Sequence, residues 1–140
     1  MRKVLLGKTG MEVSVVGFGG IPIQRVNQEE ATKIIVEAKN RGINFIDTAQ
    51  GYTVSEQYIG NALKEAGREN FYIATKSMSY DYESMKTAIE KSLKTMQLNY
   101  IDLFQVHNVS KQEMLDTVLS ENGALKALVE AKENAGNRTR

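Results

Sequence analysis

The chain has no cysteine, no tryptophan, a single histidine and a single proline. Without cysteine there is neither a disulfide nor a thiolate metal site. One histidine leaves too few ligands for a zinc centre, so no metal site is expected. No apolar run approaches the roughly 20 residues a helix needs to span a bilayer. The stretch behind Met1-Arg2-Lys3 is basic, but its apolar run is too short for a signal peptide. Charge of one sign is also missing. The 18 basic and 17 acidic residues leave a net +1, which gives no electrostatic footprint for nucleic acid or an anionic membrane surface. What remains is a globular composition: 41% hydrophobic and 25% charged over 140 residues, enough for one domain with its own core. A soluble, cytoplasmic protein is the expectation.

Four short, nearly continuous apolar segments read as strands covered on both faces: Val13–Phe18, Ile43–Asp47, Phe71–Thr75 and Tyr100–His107. Between them lie helical patterns. Asn27 with Glu30, Thr53 with Glu56, and Ser110 with Glu113 have capping-box spacing. Ile34, Ile35 and Ala38 form the first apolar stripe, and Gly42 offers it a left-handed stop. Tyr58, Ile59, Ala62 and Leu63 lead a second helix to Gly67. Met85, Ala88, Ile89, Ser92, Leu93 and Met96 recur at helical spacing in a third. The last stretch reads as two helices broken at Ser120-Glu121-Asn122-Gly123, with Leu125, Leu128 and Val129 as the apolar face of the second. A hairpin precedes everything: Arg2–Leu6, a turn at Gly7-Lys8-Thr9-Gly10, and Met11–Val13. Pro22 falls in the loop after the first strand.

The order βαβαβαβα implies a parallel sheet with right-handed crossovers. Asp47, Lys76 and His107 close three successive strands at intervals of 29 and 31 residues. That repeat suits a (β/α) barrel, with its reactive groups at the C-terminal strand ends. It also suits an open, doubly wound sheet, and the pattern does not separate them. Two motifs fail on inspection. Gly17-Phe18-Gly19-Gly20 lacks the third glycine of a dinucleotide fingerprint, because Pro22 stands there. Gly7-Lys8-Thr9 lacks the leading glycine of a P-loop, because Arg2 occupies it.

The run Asp47-Thr48-Ala49-Gln50-Gly51-Tyr52-Thr53-Val54-Ser55-Glu56-Gln57-Tyr58-Ile59-Gly60 resembles the signature of the aldo-keto reductases. The resemblance continues in Leu6-Gly7-Lys8-Thr9-Gly10, Val16-Gly17-Phe18-Gly19, Ile73-Ala74-Thr75-Lys76 and Tyr100-Ile101-Asp102-Leu103 through His107. These motifs stand in family order and spacing up to about Lys132. Gly19-Gly20-Ile21-Pro22-Ile23 and His107-Asn108-Val109-Ser110 look closest to members whose C-terminal region often adds an iron–sulfur module, which this cysteine-free chain does not carry.

The resemblance implies the N-terminal half of a (β/α)8 barrel, four βα units behind a hairpin. It implies reduction of an aldehyde or ketone by hydride from NADPH, with NADH the alternative. Tyr52 would be the general acid, since hydride addition builds charge on the carbonyl oxygen and a proton must reach it. Lys76 would be the cation beside the phenol, Asp47 would hold Lys76, and His107 would orient the substrate oxygen. Gly20, Ile21 and Asp47 would line the nicotinamide side. Thr53 stands where many relatives have glycine, and a β-branched residue disfavours positive φ.

Taken singly, each residue has a plain structural reading: Asp47 a turn cap, Tyr52 a loop aromatic, Lys76 a solvated charge, His107 a structural imidazole. Their coincidence in order and spacing favours the functional one. Asp102, read as mid-strand, is assigned a structural hydrogen bond.

A complete barrel takes about 250 residues, so the chain supplies half. The resemblance places the amide-binding residues, the stacking aromatic and the 2′-phosphate cluster in the other half. From about residue 133 the family pattern gives way to the polar Ala135-Gly136-Asn137-Arg138-Thr139-Arg140, which reads as a premature end. The expectations are reduced or lost activity, or a non-catalytic half-barrel, and self-association through open barrel edges.

Overall fold

The computed structural model describes residues 1–138. Two strands, β1 (Lys3–Leu5) and β2 (Glu12–Ser14), form the expected antiparallel hairpin. The main sheet holds β3 (Phe18–Gly19), β4 (Phe45–Asp47), β5 (Tyr72–Ser77) and β6 (Leu103–Val106), all parallel. Their spatial order is β3-β4-β5-β6, the order of the chain. A doubly wound sheet reverses direction at a switch point; this one does not.

The helices are α1 (Gln28–Asn40), α2 (Ser55–Ala66), α3 (Tyr82–Met96), α4 (Gln112–Leu119) and α5 (Ala124–Arg138). Neighbouring helices pack on one another, α1 on α2, α2 on α3, and α3 on α5, which also carries α4, so they form a single outer layer. Their apolar stripes meet the outward residues of the strands in two clusters. One joins Ile35, Ile46, Ile59, Leu63, Ile73 and Met96; the other joins Met85, Val118, Ala124 and Ala127. The opposite face, with Asp47, Ala74, Lys76, Leu103 and Gln105 in register, is the barrel's inner wall. The architecture is half of a (β/α)8 barrel.

Close approach inside the helical layer depends on Gly60. A Cβ there would lie 2.3 Å from the Met96 carbonyl oxygen and clash with backbone. Gly42 ends the first helical segment at φ +83°, as its position suggested. Pro22 opens a short 3₁₀ turn, Pro22–Arg25, where a missing N–H leaves nothing unsatisfied.

Several expectations need correction. Val13–Phe18 is not one strand: Val13 and Ser14 belong to the hairpin, and Val15 and Val16 are exposed in a bend. The Ser14 hydroxyl bonds the Val16 carbonyl there, and the Ser14 amide is taken by Asn44, which breaks the extended run. The Asn27–Glu30 capping box is present. The Thr53–Glu56 box is not, because Glu56 is drawn inward by the hydroxyls of Thr75 and Ser92. Nor does Ser110 cap with Glu113: Lys111 takes the N-cap position with no side-chain bond. The cap that composition hid is Asp81, whose carboxylate accepts from the Ser84 amide. Asp102 precedes β6 and does not sit within it. Ile34, Leu125 and Val129 are exposed rather than packed; Ala124 and Ala127 supply the buried face of α5. That helix runs on through Arg138, and Thr139 and Arg140 of the expected polar end lie outside the described residues. No helix among those described is long and apolar enough to cross a membrane.

Candidate active site

Parallel strands carry their C-terminal ends to one mouth, and three polar side chains arrive there. Asp47 ends β4, Lys76 is the penultimate residue of β5, and His107 follows β6. The Lys76 ammonium donates to Asp47 Oδ2 at 2.6 Å and to the Thr48 carbonyl at 2.9 Å. Lys76 is only 15% exposed, while Asp47 is 42% exposed. A buried ammonium needs such partners to avoid an uncompensated desolvation cost.

Tyr52 reaches the same place from the loop between β4 and α2. Lys76 Nζ lies 5.1 Å from the centroid of its ring. The Tyr52 and His107 rings meet edge to face, with centroids 6.1 Å apart and planes at 87°. His107 is fixed through its backbone: its amide donates to the Ser77 carbonyl, and the His107 carbonyl accepts from the Tyr80 hydroxyl. All four sequence-predicted catalytic residues are therefore brought together.

The loop carrying Tyr52 is tied down on three sides. The Gln50 amide donates to the Lys76 carbonyl, and the Gln50 side chain reaches Ser92 and the Ala88 carbonyl on α3. Thr48 and Ser55 share a buried hydroxyl pair, and Ser55 donates on to the Gly20 carbonyl. Thr53 does adopt positive φ, at 40°; its hydroxyl donates to Gln24 at 2.7 Å, which offsets part of that strain. The sequence reading missed the Gln50 and Glu56 anchors. No local signal names a partner some forty residues away.

Gly20 sits beside Asp47, its amide donating to the Asp47 carbonyl. A Cβ on Gly20 would lie 2.6 Å from Ser55 Oγ, so the position requires glycine for packing. Ile21 is exposed at the rim. Gly19 pairs in register with Asp47 on the inner face, and a Cβ there would meet nothing within 4 Å. An exposed apolar side chain and an accessible carboxylate therefore border open space at this mouth.

Sequential parallel strands, one outer helical layer and a polar tetrad at the C-terminal mouth define half of a (β/α)8 barrel. Comparison with known proteins narrows this. The model of the aldo/keto reductase family matches residues 15–134, and the chain belongs to that family. It is 33% identical to L-galactose dehydrogenase of Arabidopsis thaliana, over 95% of this chain and 45% of that protein. It is 37% identical to glyoxal reductase of Bacillus subtilis, over 77% of this chain and 40% of that protein. Among solved structures, an aldo-keto reductase from Pseudomonas aeruginosa superposes with a TM-score of 0.83 at 28% identity, covering 94% of this chain and 56% of that one. The holo form of an aldo-keto reductase from Bacillus halodurans gives 0.80 at 29% identity, covering 96% and 47%. The chain thus spans less than half the length of these two curated relatives.

Proposed function

We propose that Asp47, Tyr52, Lys76 and His107 form a centre for reducing an aldehyde or ketone with NADPH. The observation that carries this is the Lys76 ammonium, held by Asp47 and the Thr48 carbonyl and set 5.1 Å from the Tyr52 ring. A bound nicotinamide cofactor would supply the hydride. The carbonyl oxygen would rest between the Tyr52 hydroxyl and the His107 ring, both of which can donate to it. As charge grows on that oxygen, Tyr52 gives up its proton and the neighbouring ammonium stabilises the oxygen left behind. Asp47 keeps the ammonium in place, and its exposed side offers an acceptor to a ribose hydroxyl. Gly20 and Ile21 border the nicotinamide edge.

The test is oxidation of NADPH by a small aldehyde, with Tyr52→Phe as control. Turnover that falls by about 10²–10⁴-fold in the variant supports the assignment; equal turnover removes Tyr52 from it. A second reading is favoured by the open inner wall, where Gln105 is exposed: the half-barrel keeps the tetrad but does not catalyse. Fluorescence titration with NADPH separates the two. Saturable binding supports the reductase, and no binding supports the non-catalytic half-barrel.

A further inference from the structure

The buried stripe of α3 is apolar at Met85, Ala88 and Met96 but polar at Ser92, which is fully buried. Glu56, on the first turn of α2, is only 4% exposed. Its Oε1 accepts from the Thr75 hydroxyl at 2.7 Å and from the Ser92 hydroxyl at 2.8 Å. Ser92 Oγ in turn accepts from the Gln50 side-chain amide at 2.8 Å, and that amide also donates to the Ala88 carbonyl. The loop after β4, helix α2, strand β5 and helix α3 are thus joined around one carboxyl. No Lys or Arg pairs with Glu56 among the described residues.

Packing alone does not ask for these residues. Apolar side chains at 56 and 92 would fill the layer without desolvating a carboxyl and a hydroxyl. What a bonded polar cluster adds is a unique arrangement of the segments that carry it. Two of those segments lead to the tetrad: Thr75 precedes Lys76 on β5, and Gln50 stands two residues before Tyr52. The Gln50 backbone amide also donates to the Lys76 carbonyl at 3.0 Å. Gln50 therefore grips β5 through its backbone and α3 through its side chain. The Thr48–Ser55 hydroxyl pair closes the loop on itself. Local turn bonds then hold Tyr52, its amide donating to the Ala49 carbonyl and its carbonyl accepting from the Ser55 amide. Gln50 is the contact that ties the interior of this loop to α3.

We infer that Gln50, backed by Ser92 and Glu56, is a positioning residue that sets the Tyr52 ring against Lys76 and His107. The cluster acts on the phenol through the loop backbone and touches no reacting atom. Helix α3, which carries none of the tetrad, is thereby made part of the site. The consequence for turnover rests on the reductase reading; the placement of the Tyr52 ring does not.

His107 is the only histidine in the chain, so its imidazole Cε1–H gives a single NMR signal. The Tyr52 ring lies edge to face with that imidazole, and the ring's magnetic anisotropy makes the signal report where the phenol stands. At fixed pH, Tyr52→Leu supplies the signal position without the ring. Gln50→Met, which keeps the side-chain length and removes both donors, should move the signal towards that position with unchanged circular dichroism. Ser92→Ala should move it in the same direction by less, and it decides alone if Gln50→Met does not fold. In a Tyr52→Leu background, Gln50→Met should add no further shift. A signal that either folded variant leaves unmoved overturns the inference, as does an equal shift in the Tyr52→Leu background. In NADPH-dependent turnover of a small aldehyde, Gln50→Met should lower kcat by roughly 10–10²-fold with KM little changed; a raised KM at unchanged kcat overturns the inference too. Turnover unaffected by Tyr52→Phe, or absent from the unmodified chain, counts against the reductase reading and leaves the His107 signal to decide this one.

Discussion

Two ion pairs, one at each end of the sheet, have the same 2.6 Å separation and opposite character. At the lower end, Arg68 and Asp102 are 18% and 15% exposed. Asp102 also accepts the Ile73 amide, while Arg68 donates to the Phe71 and Tyr100 carbonyls and lies 4.1 Å over the Tyr100 ring. These contacts bind the start of β5 to the turn before β6. A polar depression of about 330 Å³ lies beside this pair, and none of its lining residues belongs to the tetrad. At the upper end, Lys76 is as well covered as Arg68, but its partner Asp47 faces outward and its neighbour is a phenol. The lower pair turns most of its polar atoms onto neighbouring backbone, Arg68 Nε alone staying buried without a partner among the described residues, while the upper pair keeps one carboxylate face open to a ligand. The comparison shows that the surroundings of an ion pair, not its length, separate a clamp from a reactive site.

Substitution can break that contrast. The largest effect expected is on turnover: Lys76→Met should lower NADPH-dependent reduction by about 10²-fold or more, with little change in melting temperature, since the carboxylate it leaves behind is accessible to water. A comparable fall in melting temperature and activity together would make the upper pair structural. Next, Asp102→Asn should destabilise the chain by about 2–3 kcal/mol, because Arg68 loses its counter-charge in a poorly hydrated position. Thermal unfolding measures this, and an unchanged midpoint would undo the distinction. Asp47→Asn should behave in the opposite way, weakening NADPH binding in a fluorescence titration while moving the midpoint far less than Asp102→Asn does.

The smallest effect belongs to a third kind of pair, Lys33 with Glu29, whose side chains are both largely exposed. The hydrogen bond from Lys33, and then its charge, hold the Glu29 carboxyl below the usual carboxylate range. Any stability so gained is fully present above that range and is lost as pH falls through the lowered value. Water and salt screen such a pair. Glu29→Gln should therefore leave the midpoint unchanged between neutral and mildly acidic pH.

The tetrad was legible because its residues sit in short local runs at a fixed repeat: Asp47 through Tyr52 in one segment, Lys76 and His107 each at the end of an apolar strand. Helix starts were less so. Asn27 caps as its spacing indicates, because no distant group competes for Glu30. The same spacing misleads at Thr53, where Glu56 finds Thr75 and Ser92 from two other elements. Val15 and Val16 look like strand residues by type, and they are exposed because Asn44 captures the chain just before them. Leu125 and Val129 look like core because a helix alone does not disclose which neighbour its apolar stripe lacks.

Composition and pattern by themselves determined the alternation of strand and helix, the parallel sheet, and the polar residues at or beside three strand ends. Those follow from local stereochemistry and from the burial of apolar segments. Tertiary structure decided the choice of barrel half over doubly wound sheet, through a strand order without reversal and helices on one face only. It also decided which carboxylate is a clamp and which borders a site, because burial and partner geometry arise only when segments distant in the chain are packed together.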